Sequence, residues 1–187
     1  GTVGTGKMLS ILILGDSAAA GVGVETQEDA LLGSVLRQLQ DGYEISYQLE
    51  ATTGHTSGQV IKAVKNMPAR HFDVVITSVG VNDITKLMQP KDWIQKQQQL
   101  YAEINRKFTP EFVIASGVPP MNKFPALPHP LAWLFGQYAK GMNKNLAKFV
   151  QQQSNMQWIE YDLQRFKSLN LEMAKDGFHP SKEIYTL

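Results

Sequence analysis

The chain contains no cysteine. Thiol nucleophiles, disulfide frameworks and thiolate metal sites are therefore excluded, while the redox state of the compartment is left open. No apolar run approaches the ~18 residues that a bilayer-spanning helix requires, so no stable membrane insertion is expected of this chain. There is no Asn-x-Ser/Thr acceptor, no His-Glu-x-x-His pair and no Gly-x-Ser-x-Gly elbow. Those absences remove N-glycosylation, one common zinc arrangement and the usual α/β-hydrolase nucleophile turn. Net charge is almost nil, with 18 basic and 17 acidic residues giving +1. Nucleic acid is not expected as a partner, because no basic footprint exists to bind it. The densest basic group, Lys140, Lys144 and Lys148, repeats every four residues and reads as a solvated helix face. No secretory signal is visible. Residue 1 is Gly rather than Met, so the natural start is expected to be missing, and localisation stays open between cytoplasmic and periplasmic or secreted.

What is present is a regular alternation of strand and helix patterns over 187 residues, a length that suits one domain over 1–187. Met8 to Leu14 is a continuous apolar run, the pattern of a strand buried on both faces. Further strands are predicted over Tyr43–Leu49, Phe72–Val79, Glu111–Ala115 and Met156–Tyr161. Helical spacing is found over Thr26–Gln40, Ser57–Asn66, Pro90–Lys107 and Leu131–Val150. Strands separated by helices imply an α/β fold with a central five-stranded parallel sheet covered on both faces, and no second domain. The glutamines around Gln97 are expected on a solvent face. Gly1 to Lys7 matches most of a phosphate-binding loop, but Met8 stands where Ser or Thr is needed and a strand follows in place of a helix. Residues 1–7 are read as a flexible lead-in.

Four short segments carry the chemistry: Gly15-Asp16-Ser17, Thr53-Gly54-His55-Thr56, Gly80-Val81-Asn82-Asp83 and Asp176-Gly177-Phe178-His179-Pro180. Each follows a predicted strand, and ligands of open α/β sheets bind at the carboxyl ends of strands. Ser17 is a hydroxyl that needs an adjacent base to act as a nucleophile. His179 is the base candidate, and Asp176, three residues earlier, can fix its tautomer and stabilise the imidazolium. The Ser17 N–H, the Gly54 N–H and the Asn82 side-chain amide are candidate donors to an oxyanion. Asp16 and Asp83 are read as loop and capping residues that hold the site in shape. His55 is a candidate to touch substrate, His71 is expected at the surface, and His129 is expected to pack in a proline loop.

The set, in this order, resembles the SGNH hydrolases, also called the GDSL lipase/esterase family, over Met8 to Tyr185. The resemblance implies a three-layer α/β/α, flavodoxin-like architecture. It also implies a serine esterase acting on small-molecule esters through an acyl-enzyme, with no cofactor and no metal. Ser17, Gly54, Asn82, Asp176 and His179 occupy the family's motif positions. Short or medium acyl esters and lysophospholipid-like esters are the leading substrates. Carbohydrate O-deacetylation on the same site is the alternative, and a non-catalytic binding module is a third reading that no substituted motif position favours. Gly117 to Gly136 holds five prolines and many apolar residues, Phe124 and Trp133 among them. Its Phe-Pro-x-Leu-Pro-x-Pro-Leu stretch resembles a bacterial branch of the family. The segment is read either as a wall of the substrate pocket or as a packed connection.

Overall fold

Apolar runs and β-branched residues set the architecture. A computed structural model describes residues 2–3, 7–15, 42–52, 54–123 and 127–159. These residues form the strands β1 (Thr2–Val3), β2 (Lys7–Gly15), β3 (Tyr43–Ala51), β4 (Val74–Ser78), β5 (Phe112–Ser116) and β6 (Met156–Ile159). They also form the helices α1 (Ser57–Asn66), α2 (Val81–Thr85), α3 (Pro90–Phe108) and α4 (Leu131–Gln151), with a 3-10 turn at Met121–Lys123. The helix predicted over Thr26–Gln40 lies outside the described residues.

The strands join in one sheet of order β1-β3-β2-β4-β5-β6. β2, β3, β4, β5 and β6 are mutually parallel, each hydrogen-bonded to its neighbours in register. Counted along the chain, these five read 2-1-3-4-5, the flavodoxin-like order. The strand order reverses between β2 and β4, where Gly15 pairs with Ser78 at the carboxyl ends. Loops leaving a reversal point diverge and open a crevice there, the usual ligand position in such sheets. One element differs from the sequence reading. Thr2–Val3, inside the segment read as a lead-in, adds a sixth strand, antiparallel to Ser46 and Ile45 of β3. Two residues are too few to carry an alternation signal, so periodicity could not reveal it.

Both faces of the sheet are buried. On one, Leu12, Leu14, Val75, Val113 and Ala115 pack with the apolar stripes of α1, α3 and α4. On the other, Ile11, Ile13, Ile45 and Ile76 form a second buried cluster. A parallel sheet buried on both sides is the middle layer of a three-layer α/β/α fold. Helix α3 turns Trp93, Leu100, Tyr101, Ile104 and Phe108 inward. Gln97 goes with them and is 1% exposed, contrary to the solvent face expected for it. Its amide finds a partner in the interior, described below. Burial pushes the Tyr101 hydroxyl up to about 12, so it stays protonated and bonds Thr77 Oγ1 at 3.0 Å. On α4, Leu131 is 37% exposed, and Ala132, Phe135, Ala139, Met142, Leu146 and Val150 form the buried stripe.

Helix α1 ends against a cation. Lys107 Nζ donates to the carbonyls of Val64, Lys65 and Met67 at the end of the helix, where Val64 O also accepts from Met67 N–H at 3.1 Å. Hydrogen bonds to a charged group contribute about 1.5–3 kcal/mol net, and the partial exposure of Lys107 puts this set at the low end. Lys107→Met should keep the packing of the aliphatic stem and lose the bonds. The expected result is a Tm lower by about 3–8 °C in a calorimetric melt, with unchanged secondary structure.

Candidate active site

The site is built where three adjacent parallel strands end. β2 ends at Gly15, two residues before Ser17. β3 ends at Ala51, three residues before Gly54. β4 ends at Ser78, four residues before Asn82. Thr52 N–H donates to Gly15 O at 3.4 Å, so the exit of β3 is fastened to the exit of β2.

Gly54 has φ +86°, in the left-handed region that favours glycine. Nothing among the described residues lies within 4 Å of where its Cβ would be, so the glycine answers a backbone need rather than a close approach to any of them. Its N–H has no partner among the described residues. His55 N–H closes the turn on Thr52 O at 3.2 Å. The His55 side chain is half-buried, and its carbonyl accepts from Asn82 Nδ2 at 3.0 Å. An amide nitrogen carries two hydrogens. One is used on His55, and the other is unpaired among the described residues. Gly54 and Asn82 are therefore held one residue apart across a single hydrogen bond.

Asn82 lies in the first turn of α2. Gly80 enters that turn at φ +149°. A Cβ at Gly80 would meet Val118 Cγ2 at 2.6 Å. Val118 is in turn clamped from both sides by Asn143, whose Oδ1 accepts from Val118 N at 2.7 Å and whose Nδ2 donates to Val118 O at 2.9 Å. The loop after β5 thus braces α2 from below. Val118, Met121 and Leu127 of that loop are buried and Trp133 is 59% exposed, while Phe124 lies outside the described residues. The apolar content of Gly117–Gly136 is accordingly divided between core and surface.

Asp83 was read from sequence as a loop or capping residue. It caps, but it caps a helix elsewhere in the chain. Fully buried, it accepts from Ser57 N at 3.1 and 3.2 Å, from Ser57 Oγ at 2.6 Å and from Trp93 Nε1 at 3.1 Å. Gln97 Nε2 completes the group by donating to Ser57 Oγ at 2.7 Å. Burial pushes the Asp83 carboxyl above its ordinary value, and the Ser57 and Trp93 donors oppose that rise. A carboxylate at the start of α1 is also favoured by the helix dipole.

Ser17, Asp176 and His179 lie outside the described residues, and so does Asp16. The remaining histidines are accounted for. His129 is exposed rather than packed. His71 is exposed at the amino ends of the strands, just before β4, bonded to Thr109 Oγ1 at 3.1 Å and Asp73 Oδ1 at 3.0 Å. With Glu111 it forms the one group of three potential metal ligands found among the described residues, their donor atoms within 4.8 Å of one another. Both His71 ring nitrogens are already engaged there. Ser10 N–H, which donates to Asp73 at 2.8 Å, holds that carboxyl below its ordinary value. Among the described residues no helix is long and apolar enough to cross a membrane.

The sequence profile of the GDSL-like lipase/acylhydrolase family matches residues 13–187. The chain belongs to that family. Membership makes it a carboxylic ester hydrolase. No curated protein sequence matches significantly. Solved structures with the same fold include the lipase Lip_vut3 from a goat rumen metagenome, with TM-score 0.68 and 17% identity over 95% of this chain and 92% of that one. Phospholipase A1 from Streptomyces albidoflavus is similar, with TM-score 0.66 and 16% identity over 95% and 94%. A carbohydrate esterase family 2 enzyme from Corynascus thermopiles has TM-score 0.74 and 13% identity over 95% of this chain and 62% of its own. At such identities the likeness speaks for the fold.

Proposed function

We propose that this GDSL-family hydrolase cleaves small-molecule carboxylic esters through an acyl-enzyme on Ser17. The observation that carries the reading is the fastening of the Gly54 turn to Asn82. It sets a backbone N–H and a side-chain amide beside the strand end from which Ser17 follows by two residues. Ser17 Oγ attacks the carbonyl carbon while His179 takes its proton. The carbonyl π pair becomes an oxyanion, met by the N–H groups of Ser17 and Gly54 and by the Asn82 amide. Collapse of the adduct expels the alcohol, which receives the proton from His179. Water then attacks the acyl-enzyme, His179 takes a proton from it and passes it to Ser17 Oγ as the acyl–oxygen bond breaks, and the acid leaves. Asp176 orients His179 throughout.

Short and medium acyl esters, lysophospholipid-like esters included, are the leading substrates. Carbohydrate O-deacetylation is the second reading, supported by the likeness to the family 2 carbohydrate esterase fold. A chromogenic acyl-chain series set against acetylated sugars decides between them. Higher kcat/KM on butyrate to octanoate esters supports the first, and release of acetate from sugars alone supports the second.

Trp133 is the described side chain on which chain-length preference is most testable. It projects from the first turn of α4, a helix that contacts α2, and is mostly exposed. Trp133→Ala should cost less than about 0.5 kcal/mol of stability. It is expected to lower the octanoate-to-acetate ratio of kcat/KM by about threefold or more, in line with the loss of apolar contact to a few methylenes. Rates that fall equally on all chain lengths would remove Trp133 from the pocket. Phe124→Ala is the companion test for the same segment.

A further inference from the structure

We propose that Asp83 is the positioning residue of the oxyanion pocket, holding the Gly54 turn and Asn82 in one rigid unit. The inference rests on the assignment of Asn82 as an oxyanion donor. Consecutive side chains grip one short segment at two points. Asn82 Nδ2 holds the carbonyl of His55, and Asp83 holds the N–H and hydroxyl of Ser57, two residues further on. Segment 55–57 is thus caught at both ends, and Gly54 is the next residue before it. Asp83 is also bonded to Trp93 Nε1 of α3, so the grip is anchored to a long helix and not to the loop alone.

The group is built to tolerate little movement. Ser57, Asp83 and Trp93 are fully buried, and Gln97 is 1% exposed. Gln97 donates to Ser57 Oγ, so the hydroxyl proton is directed at Asp83. Every partner of the carboxylate is then a donor: Ser57 N–H, Ser57 O–H and Trp93 Nε1–H. An acceptor-only group fits that set, and an amide does not, because its NH2 end would face a donor. Asp83 has no contact role toward substrate in this scheme. It acts through Asn82 and the Gly54 turn, and a misplacement of an ångström at a donor is enough to cost rate.

The test is a double-mutant cycle on a chromogenic acetate, with Asp83→Asn, Asn82→Ala and both together, each checked by circular dichroism for a folded state. Asp83→Asn is expected to lower kcat by about 10- to 100-fold with KM changed by less than about threefold. In the Asn82→Ala background the same substitution should cost less than about threefold, because the amide donor and its tether to the Gly54 turn are both already gone. Ser57→Ala is run through the same cycle, and it decides the matter if Asp83→Asn does not fold. Its expected loss is smaller, about 3- to 10-fold, and is likewise suppressed without Asn82. If Asn82→Ala lowers kcat but Asp83→Asn and Ser57→Ala cost the same in both backgrounds, the oxyanion assignment stands and the positioning role is overturned. If Asn82→Ala alone leaves kcat unchanged, the oxyanion assignment falls and the positioning role falls with it.

Discussion

Ser17→Ala is expected to lower kcat for a chromogenic acetate by about 10⁴- to 10⁶-fold, with the fold intact. The magnitude follows from what is left behind. Without the hydroxyl there is no covalent intermediate, and the oxyanion donors with substrate binding retain only about 10³- to 10⁴-fold over water. His179→Ala should fall in the same range, and the pair together should lose little more than either alone, because nucleophile and base act as one unit. A fluorophosphonate supplies the direct check. It should form one covalent serine adduct in the natural chain, mapped by mass spectrometry to the peptide bearing Ser17, and none in Ser17→Ala. Ser57 serves as an internal control, since a fully buried hydroxyl committed to Asp83 should not be labelled. An adduct on another serine, or equal rates in natural and variant chains, would reject the catalytic assignment.

Asn82→Ala is expected to lower kcat by about 10²- to 10³-fold while KM moves little, the signature of a donor used mainly in the transition state. Part of the effect is electrostatic and part is geometric. The amide hydrogen aimed at the oxyanion is lost, and so is the bond to His55 O that holds the Gly54 turn. The stability cost should be that of one half-buried hydrogen bond, about 1 kcal/mol, or some 2–4 °C in Tm. Steady-state kinetics and a thermal melt on the same preparation separate the two. A large fall in Tm with a proportionate fall in kcat would point to a structural asparagine. A thousandfold kinetic loss with a Tm shift of a few degrees would support the donor.

The parts of this fold that could be read from sequence are those governed by local periodicity. Met8–Leu14 announces a strand that is buried on both faces from Ile11 to Leu14, though Met8 at its amino end is 67% exposed, and α1, α3 and α4 announce themselves through apolar stripes at helical spacing. Each predicted strand is present with boundaries within two residues over the described chain. The motif glycine and asparagine could be noticed, but not why they are needed. The positive φ of Gly54 and the tether from Asn82 to His55 are tertiary facts. Gln97 departs from its expected solvent face for the same reason. A glutamine among polar helix neighbours reads as solvent-facing until Ser57, 40 positions away, offers it a buried oxygen. Asp83 likewise bonds a residue 26 positions upstream, and no local pattern encodes that. A short turn such as α2, and a two-residue strand such as β1, hold too few residues to display a period at all.

The central place of β2 has a consequence for synthesis. Its partners arrive late: Lys7 awaits Tyr43, 36 positions on, and Ile11 awaits Val74, 63 positions on. At ribosomal speeds of about 5–20 residues per second, that second wait lasts roughly 3–13 s. For that interval a greasy seven-residue ribbon, Met8 to Leu14, emerges with no mate on its far side, in the form most prone to clumping with other nascent copies. Slower reading of the message between the codons for residues 15 and 74 should therefore lower the soluble fraction of this enzyme, measured by fractionating cell lysates.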